Sequence, residues 1–79
     1  MSQAAQVLEV ITKKVDSYEK GGKLCKMART TVYMDDGNVV CEFGEARTWQ
    51  PAGNRSLHAA LDAAGLSHDD VEGKVAFLI

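Results

Sequence analysis

The sequence is poor in the residues that build disulfide frameworks, metal sites and membrane spans. Its 79 residues include two cysteines, two histidines and one proline. Two cysteines are too few for a disulfide framework, and neither has the CxxC spacing near histidines that is typical of a structural zinc site. No apolar run approaches the roughly 18 residues of a membrane span, and the N-terminal residues do not resemble a signal peptide. We therefore expect a cytoplasmic protein with no membrane partner, no metal and no cofactor.

The remaining composition is that of an ordinary globular protein. Hydrophobic residues make up 46% of the chain and charged residues 25%, which excludes disordered and fibrous classes. No internal repeat or linker divides the sequence, so we expect a single domain over residues 1–79. A chain this short buries only about 60% of the surface of its unfolded form, which predicts a small core.

The charges are unevenly distributed along the chain, although the net charge is only −2. Residues 1–29 carry six basic and three acidic side chains, whereas residues 30–79 carry three basic and eight acidic ones. Such an asymmetry can steer a charged partner or support self-association, but it does not determine the fold.

The strongest structural signal is a β-hairpin between residues 23 and 49, whose arms flank the sequence Asp-Asp-Gly-Asn at residues 35–38. Asp-Gly is favoured in two-residue type I′ turns, because glycine readily adopts a positive φ. With Asp-Gly as the loop, Val32 is predicted to pair with Cys41. A slip of one residue would turn every side chain of one arm to the opposite face.

The predicted register groups Met27, Tyr33 and Val40 on one face of the hairpin. Aromatic and methionine side chains on an uncovered sheet face are typical of interaction sites. The same residues would form core if a helix covered that face. The sequence leaves both possibilities open.

Residues 2–20 have two interpretations. The apolar residues follow a helical period, which favours a helix capped by Ser2 and ended by Gly21. The competing interpretation makes Leu8–Tyr18 a first strand that turns at Gly21-Gly22 into the hairpin, as its β-branched residues allow. We favour the helix because its apolar stripe spans four turns. The members of that stripe are Ala4, Val7, Leu8, Ile11, Val15 and Tyr18.

A second helix is predicted after the hairpin. Residues 50–54 have the composition of a loop, and a helix capped by Asn54 or Ser56 follows. Gly65 ends this helix, and Leu66 is placed to fold back over the last turn in a Schellman motif.

The last residues predict one further turn and a strand. Ser67 followed by acids at 69 and 70 resembles a capping box, and Gly73 ends that turn. Residues 75–79 form a continuous apolar run, which favours a strand in the interior of the sheet.

Together these elements predict a small α+β domain of order α-β-β-α-β, in which an antiparallel hairpin is extended by the C-terminal strand and two helices pack on the sheet. This order resembles a reduced version of the type II KH arrangement. The GxxG loop with which KH domains clamp nucleic acid is missing, because residues 65–68 read Gly-Leu-Ser-His. The likeness is therefore one of topology, and it implies no KH function.

Few residues suggest catalysis or metal binding. His58 and Asp62 lie four residues apart, the spacing of an acid/base pair but also of a surface ion pair, which we favour because no activated nucleophile accompanies them. The cluster at residues 68–72 fits neither an EF-hand loop nor a zinc motif, and capping explains its acids. An enzyme is our third hypothesis, with a site shared across a dimer because so short a chain has little room for a pocket.

A basic stripe supports a second hypothesis, nucleic-acid binding. Basic side chains bind phosphates, and Tyr33 or Met27 could contact bases. The acidic net charge argues against it. The stripe consists of Lys13, Lys14, Lys20, Lys23, Lys26 and Arg29.

Our first hypothesis is a non-enzymatic protein-binding module, either a homodimer or a small inhibitor or regulator. It would use the face of Met27, Tyr33 and Val40 or an exposed strand edge. Small chains without catalytic motifs resemble, as a class, the accessory proteins of phages and mobile elements, which act by binding a host protein.

Overall fold

The computed structural model describes residues 5–79, so the predicted cap at Ser2 lies outside the described residues. The four strands form one sheet of order β3-β2-β1-β4, in which β4 runs parallel to β1 and the other neighbours are antiparallel. The predicted α+β class is confirmed. The elements are β1 (Val7–Lys20), β2 (Lys23–Met34), β3 (Val39–Ala46), α1 (Trp49–Ala64), a 3₁₀ turn (Asp69–Val71) and β4 (Val75–Leu78).

The first element is a strand, so the predicted helix over residues 2–20 is wrong and the competing strand is right. β1 pairs with β2 on one side and, near its middle, with β4 on the other. Its register against β2 shifts between Val7 and Glu9 and again between Lys14 and Asp16, which marks two β-bulges. Each bulge adds one residue to an alternation of period two, and this produces the spacings of three that are typical of helices.

The hairpin between β2 and β3 is present, but its predicted register is wrong by one residue. The loop contains three residues rather than two, because the N–H of Met34 donates to the carbonyl of Asn38 at 2.9 Å. Gly37 ends the loop with a φ of 89°. A type I′ turn would require a positive φ at Asp36 as well, but among residues 5–79 only glycines have a positive φ. Val32 consequently pairs with Val40 instead of Cys41.

Helix α1 begins earlier than predicted. Thr48 is extended and Trp49 is the first helical residue, so the whole of the predicted loop at residues 50–54 belongs to the helix. Pro51 is tolerated there because the first N–H groups of a helix have no partner within it.

The C-terminal end of α1 is as predicted. Gly65 has a φ of 70°, and its N–H donates to the carbonyl of Asp62 at 3.1 Å. The N–H of Leu66 donates to the carbonyl of Leu61 at 2.9 Å, which completes a Schellman motif.

The predicted short turn after α1 is also present, as the 3₁₀ turn. The N–H of Ser67 donates to the carboxylate of Asp70 at 2.8 Å, and its hydroxyl donates to the same oxygen at 3.1 Å. These two hydrogen bonds lower the pKa of Asp70 from its ordinary value.

Helix α1 packs on one face of the sheet, above β2 and β3, and this is the covered face. Two glycines allow the close approach. A Cβ atom at Gly44 would meet the backbone of Ser56 and would lie 2.5 Å from the carbonyl oxygen of Ala52. A Cβ atom at Gly53 would meet the ends of the Phe77 and Ile79 side chains. A cluster of buried apolar residues fills this interface: Val7, Val10, Val32, Ala60, Leu61 and Val71.

A chain of buried hydroxyls crosses the same interface. The Ser56 hydroxyl donates to the carbonyl of Gly53 at 2.8 Å, so its single proton is already used. Thr30, 2.7 Å away, must therefore donate to Ser56, and Thr12, another 2.7 Å on, must donate to Thr30. All three residues are fully buried. The polar atoms cost little to bury because each donor has an acceptor.

β4 lies at an edge of the sheet, so its predicted interior position is wrong. It pairs with residues 10–13 of β1, and Leu78 is 57% exposed. The side chains of this apolar run alternate between the two faces of the sheet. Phe77 and Ile79 lie below α1, whereas Ala76 and Leu78 point to the other face. Since the first element of the described residues is a strand and only one α-helix follows within them, the predicted order and its KH likeness do not hold.

Candidate interaction surface

The face of the sheet opposite α1 is the candidate site, and we refer to it as the open face. Side chains alternate along each strand, so this face carries the residues that do not point toward the helix. None of the helical elements of residues 5–79 packs on it. Its members are Glu9, Ile11, Lys13, Asp16, Tyr18, Cys25, Met27, Arg29, Thr31, Tyr33, Val39, Cys41, Phe43, Glu45, Ala76 and Leu78.

Cross-strand pairing arranges most of these side chains in three parallel rows. The acidic row consists of Val39, Tyr33 and Glu9. The central row consists of Cys41, Thr31, Ile11 and Ala76. The basic row consists of Phe43, Arg29, Lys13 and Leu78. Within these three rows, charge is confined to the two outer ones, with opposite signs, and the central row is uncharged. A fourth row, next to the basic row, carries Asp16 and Glu45 on either side of Met27.

The open face exposes large apolar side chains. Leu78 is 57%, Val39 55%, Phe43 52% and Tyr33 38% exposed. On the covered face, the equivalent positions of β1 and β2 are almost fully buried, for example Val10 and Val32 at 0%. Contiguous apolar side chains left in water are typical of surfaces that bind a partner.

The structure separates the three residues that the predicted register grouped. Met27 and Tyr33 lie on the open face, but Val40 lies on the covered face and packs against the core cluster. Val39 and Phe43 occupy the open face in place of Val40, and the predicted register places both of them on the opposite side. A three-residue loop ending at Gly37 would have placed them correctly.

The predicted basic stripe is also divided. Lys13 and Arg29 are cross-strand neighbours on the open face. Lys14 and Lys26 lie on the opposite side, where their Nζ atoms are 5.2 and 5.3 Å from the centre of the Trp49 ring. These two lysines are thus engaged with an aromatic ring at the start of α1.

The two other basic residues of the stripe lie at the far end of the sheet. Lys20 and Lys23 flank the Gly21-Gly22 turn. Here β1 and β2 extend beyond β3, whose pairing with β2 begins at Lys26. The six basic side chains therefore form no continuous stripe.

The base of this two-stranded extension is attached to β3 by Tyr18. Its hydroxyl donates to the carboxylate of Glu45, and this hydrogen bond raises the pKa of Tyr18 to about 12. The neutral phenol is favoured because ionisation would remove the donor and place two negative charges together.

The candidate acid/base residues do not assemble into a catalytic arrangement. His58 and His68 lie edge to face, with ring centres 5.3 Å apart, and both are exposed. Within residues 5–79 no three His, Cys, Asp or Glu side chains are placed to hold a metal ion. No helix in that range is long and apolar enough to cross a membrane.

A cleft of about 530 Å³ lies between the two-stranded extension and the start of α1, and Lys20, Cys25 and Arg55 contribute to its walls. It is shallow and open to solvent. The guanidinium of Arg55 donates to the backbone carbonyl of Glu45 at 2.6 Å, which holds the helix against β3. These contacts are structural.

Comparisons with known proteins give no relative from which a function could be transferred: no family model, curated protein or solved structure matches the chain. The function must therefore be inferred from the geometry of the open face.

Proposed function

We propose that this protein is a non-enzymatic protein-binding module that binds through the open face of its sheet. The observation that carries the proposal is the exposure of Tyr33, Val39, Phe43 and Leu78, between 38 and 57%, on one side of the sheet. Burying such side chains against a partner removes apolar area from water, which is the main favourable term in most protein association.

The mixture of residue types favours a protein as the partner. Tyr, Phe, Met and Arg are enriched where proteins bind one another, and the open face combines Tyr33, Phe43, Met27 and Arg29. Glu9 and Lys13 bring charges of both signs to the same surface, which supports selection of one partner over others.

The biological role proposed for this surface is that of a homodimer or a small inhibitor or regulator. Cytoplasmic location is part of the proposal. Cys25 and Cys41 are both free thiols, and Cys41 is exposed, as expected in a reducing compartment.

Nucleic-acid binding is kept as the second candidate because of one local arrangement. Lys13 and Arg29 are neighbours on the open face, and Phe43 lies beside Arg29. Basic side chains next to an exposed aromatic ring can bind a phosphate and stack a base. The division of the remaining four basic residues between other parts of the surface weakens this candidate.

Photo-crosslinking tests the proposal. A benzophenone amino acid is introduced in place of Phe43 on the open face or, as the control, in place of Ala63 on the exposed side of α1. Irradiation of producing cells is expected to give a protein adduct from position 43 and little from position 63. Equal yields at the two positions, or no adduct at 43, would contradict the proposal. An adduct that nuclease removes would support the second candidate instead.

A further inference from the structure

We infer that the partner of the open face is a second copy of this chain, related by a two-fold axis that runs along the central row, between the two faces. This inference rests on the proposed function and identifies the partner. It follows from the order in which the open face presents its charged and apolar side chains.

The position of the axis follows from the symmetry of a face-to-face dimer. Two identical faces can meet around a two-fold axis only if that axis lies in the plane of contact. An axis along the central row places each strand against the same strand of the copy, running in the opposite direction. It also exchanges the acidic row of one protomer with the basic row of the other. Aligned packing of this kind, with sheets about 10 Å apart, is common between sheets.

The charges on β1 are complementary in this arrangement. Glu9 of one protomer faces Lys13 of its partner, and the symmetry repeats this pair on the other side of the axis. Within one chain the two side chains lie four residues apart along a strand, a separation of roughly 13 Å, so they cannot pair with each other. Both are exposed. The dimer therefore brings together Glu9 and Lys13, which lie too far apart to pair within one chain.

The other members of the outer rows are complementary as well. On β2, Tyr33 of one protomer faces Arg29 of the other, which allows a cation–π contact. On β3, Val39 faces Phe43, and both side chains are more than half exposed in the single chain. The exchange thus gives all three members of the acidic row a favourable partner in the basic row.

The central row meets its own copy, because it lies on the axis. A charged residue there would face an identical charge, but the row contains Cys41, Thr31, Ile11 and Ala76, all uncharged. An axis running along the strands, between β1 and β2, would instead place Lys13 of each protomer against Arg29 of the other. Like charges at an interface cost binding energy, so the axis along the central row is favoured.

Charge reversal tests the inference through a pattern that only this axis produces. In the inferred dimer, position 9 of each protomer faces position 13 of the other. Glu9→Lys therefore places a positive charge at both positions, and Lys13→Glu places a negative charge at both. Each single variant is expected to dimerise roughly tenfold more weakly or worse. An equimolar mixture of the two variants is expected to form heterodimers, because every contact across the axis is again between opposite charges. The double variant is expected to regain self-association.

Sedimentation velocity and native mass spectrometry of the untagged chain provide the measurement. Asp62→Lys makes the same change of charge as Glu9→Lys on the exposed side of α1 and is expected to leave dimerisation unchanged. Circular dichroism checks that each variant is folded.

Two results would overturn the inference. One is a wild-type chain that stays monomeric at the highest attainable concentration. The other is a pair of single variants that dimerise as well as wild type, or whose mixture does not recover association. If the wild-type chain is monomeric while photo-crosslinking at position 43 yields a different protein, the second copy is excluded as the partner and the proposed function stands.

Discussion

Gly44→Ala is expected to destabilise the protein strongly, because Gly44 is the point at which β3 lies directly below the backbone of α1. The added Cβ atom would meet the N–H of Ser56 and lie 2.5 Å from the carbonyl oxygen of Ala52. Backbone atoms cannot turn aside as a side chain can, so the helix or the strand must move. That movement would disturb the core cluster and the buried Thr12–Thr30–Ser56 hydroxyl chain, which cross the same interface.

The magnitude follows from the nature of the neighbours. Overpacking a core usually costs about 1–3 kcal/mol, and contacts with backbone place this change near the upper end, at about 3 kcal/mol. A chain of this length has a free energy of unfolding of roughly 4–12 kcal/mol, so the loss is a large fraction of the total. The melting temperature is expected to fall by roughly 12–24 °C.

Gly53→Ala is the matched control. Its Cβ atom would meet the far ends of the Phe77 and Ile79 side chains, which can adjust. Alanine is also favoured over glycine in a helix by about 1 kcal/mol, so the net change is expected to stay within about 1 kcal/mol. Urea unfolding followed by circular dichroism and by the fluorescence of Trp49, the single tryptophan, measures both variants. Equal stability of the two variants would refute the packing of α1 on β3.

Three further predictions concern the core, the short turn and the open face. Thr30→Val leaves the buried Thr12 hydroxyl without an acceptor and is expected to cost about 1–3 kcal/mol in urea unfolding, whereas Thr31→Val on the open face is expected to change little. The lowered pKa of Asp70 means that its contribution to stability is present above the unfolded pKa and is lost as pH falls through the folded value. Asp70→Asn is therefore expected to make the unfolding midpoint less dependent on pH below about pH 4, and an unchanged dependence would contradict this. If nucleic acid is the partner, its affinity must fall steeply with salt and drop further in a Lys13→Glu, Arg29→Glu variant; binding of single strands that is insensitive to salt would exclude that candidate.

The features that sequence predicted correctly are those determined by a few neighbouring residues. Gly65 and Leu66 end α1 in a Schellman motif because only the local chain is involved, and Ser67 caps the short turn for the same reason. Such motifs place a glycine or a hydroxyl at a fixed distance from the helix end, so their sequence signal is direct.

The local sequence predicts a helix where β1 lies, because the conformation of this segment is determined by long-range pairing. Val10, Ile11, Thr12 and Val15 favour a strand, but the bulges disguise the alternation. β1 is held between β2 and β4, and β4 lies more than 60 positions later in the chain. Helical periodicity in a window of residues cannot report such a partner.

The sequence predicts the β2 side of the open face correctly and the β3 side incorrectly. The difference is caused by one additional residue in the hairpin loop. Asp-Gly suits both a two-residue and a three-residue hairpin, and the choice reverses which side of β3 faces the helix. Tyr33 and Met27 on β2 were therefore predicted correctly for the open face. On β3, however, the predicted register places Val40 on the open face, whereas the structure has Val39 and Phe43 there.

The exposed thiol of Cys41 allows the most direct test of the account, because Cys41 lies on the central row and meets its own copy in the inferred dimer. In a Cys25→Ser background, a short bismaleimide is expected to convert the chain into a covalent dimer of twice 8.5 kDa. A variant that carries its single thiol at position 63 instead, through Cys25→Ser, Cys41→Ser and Ala63→Cys, is expected to form no covalent dimer with the same reagent. Reaction of Cys41 with the reagent on single chains alone would contradict the claim that two copies meet through the open face.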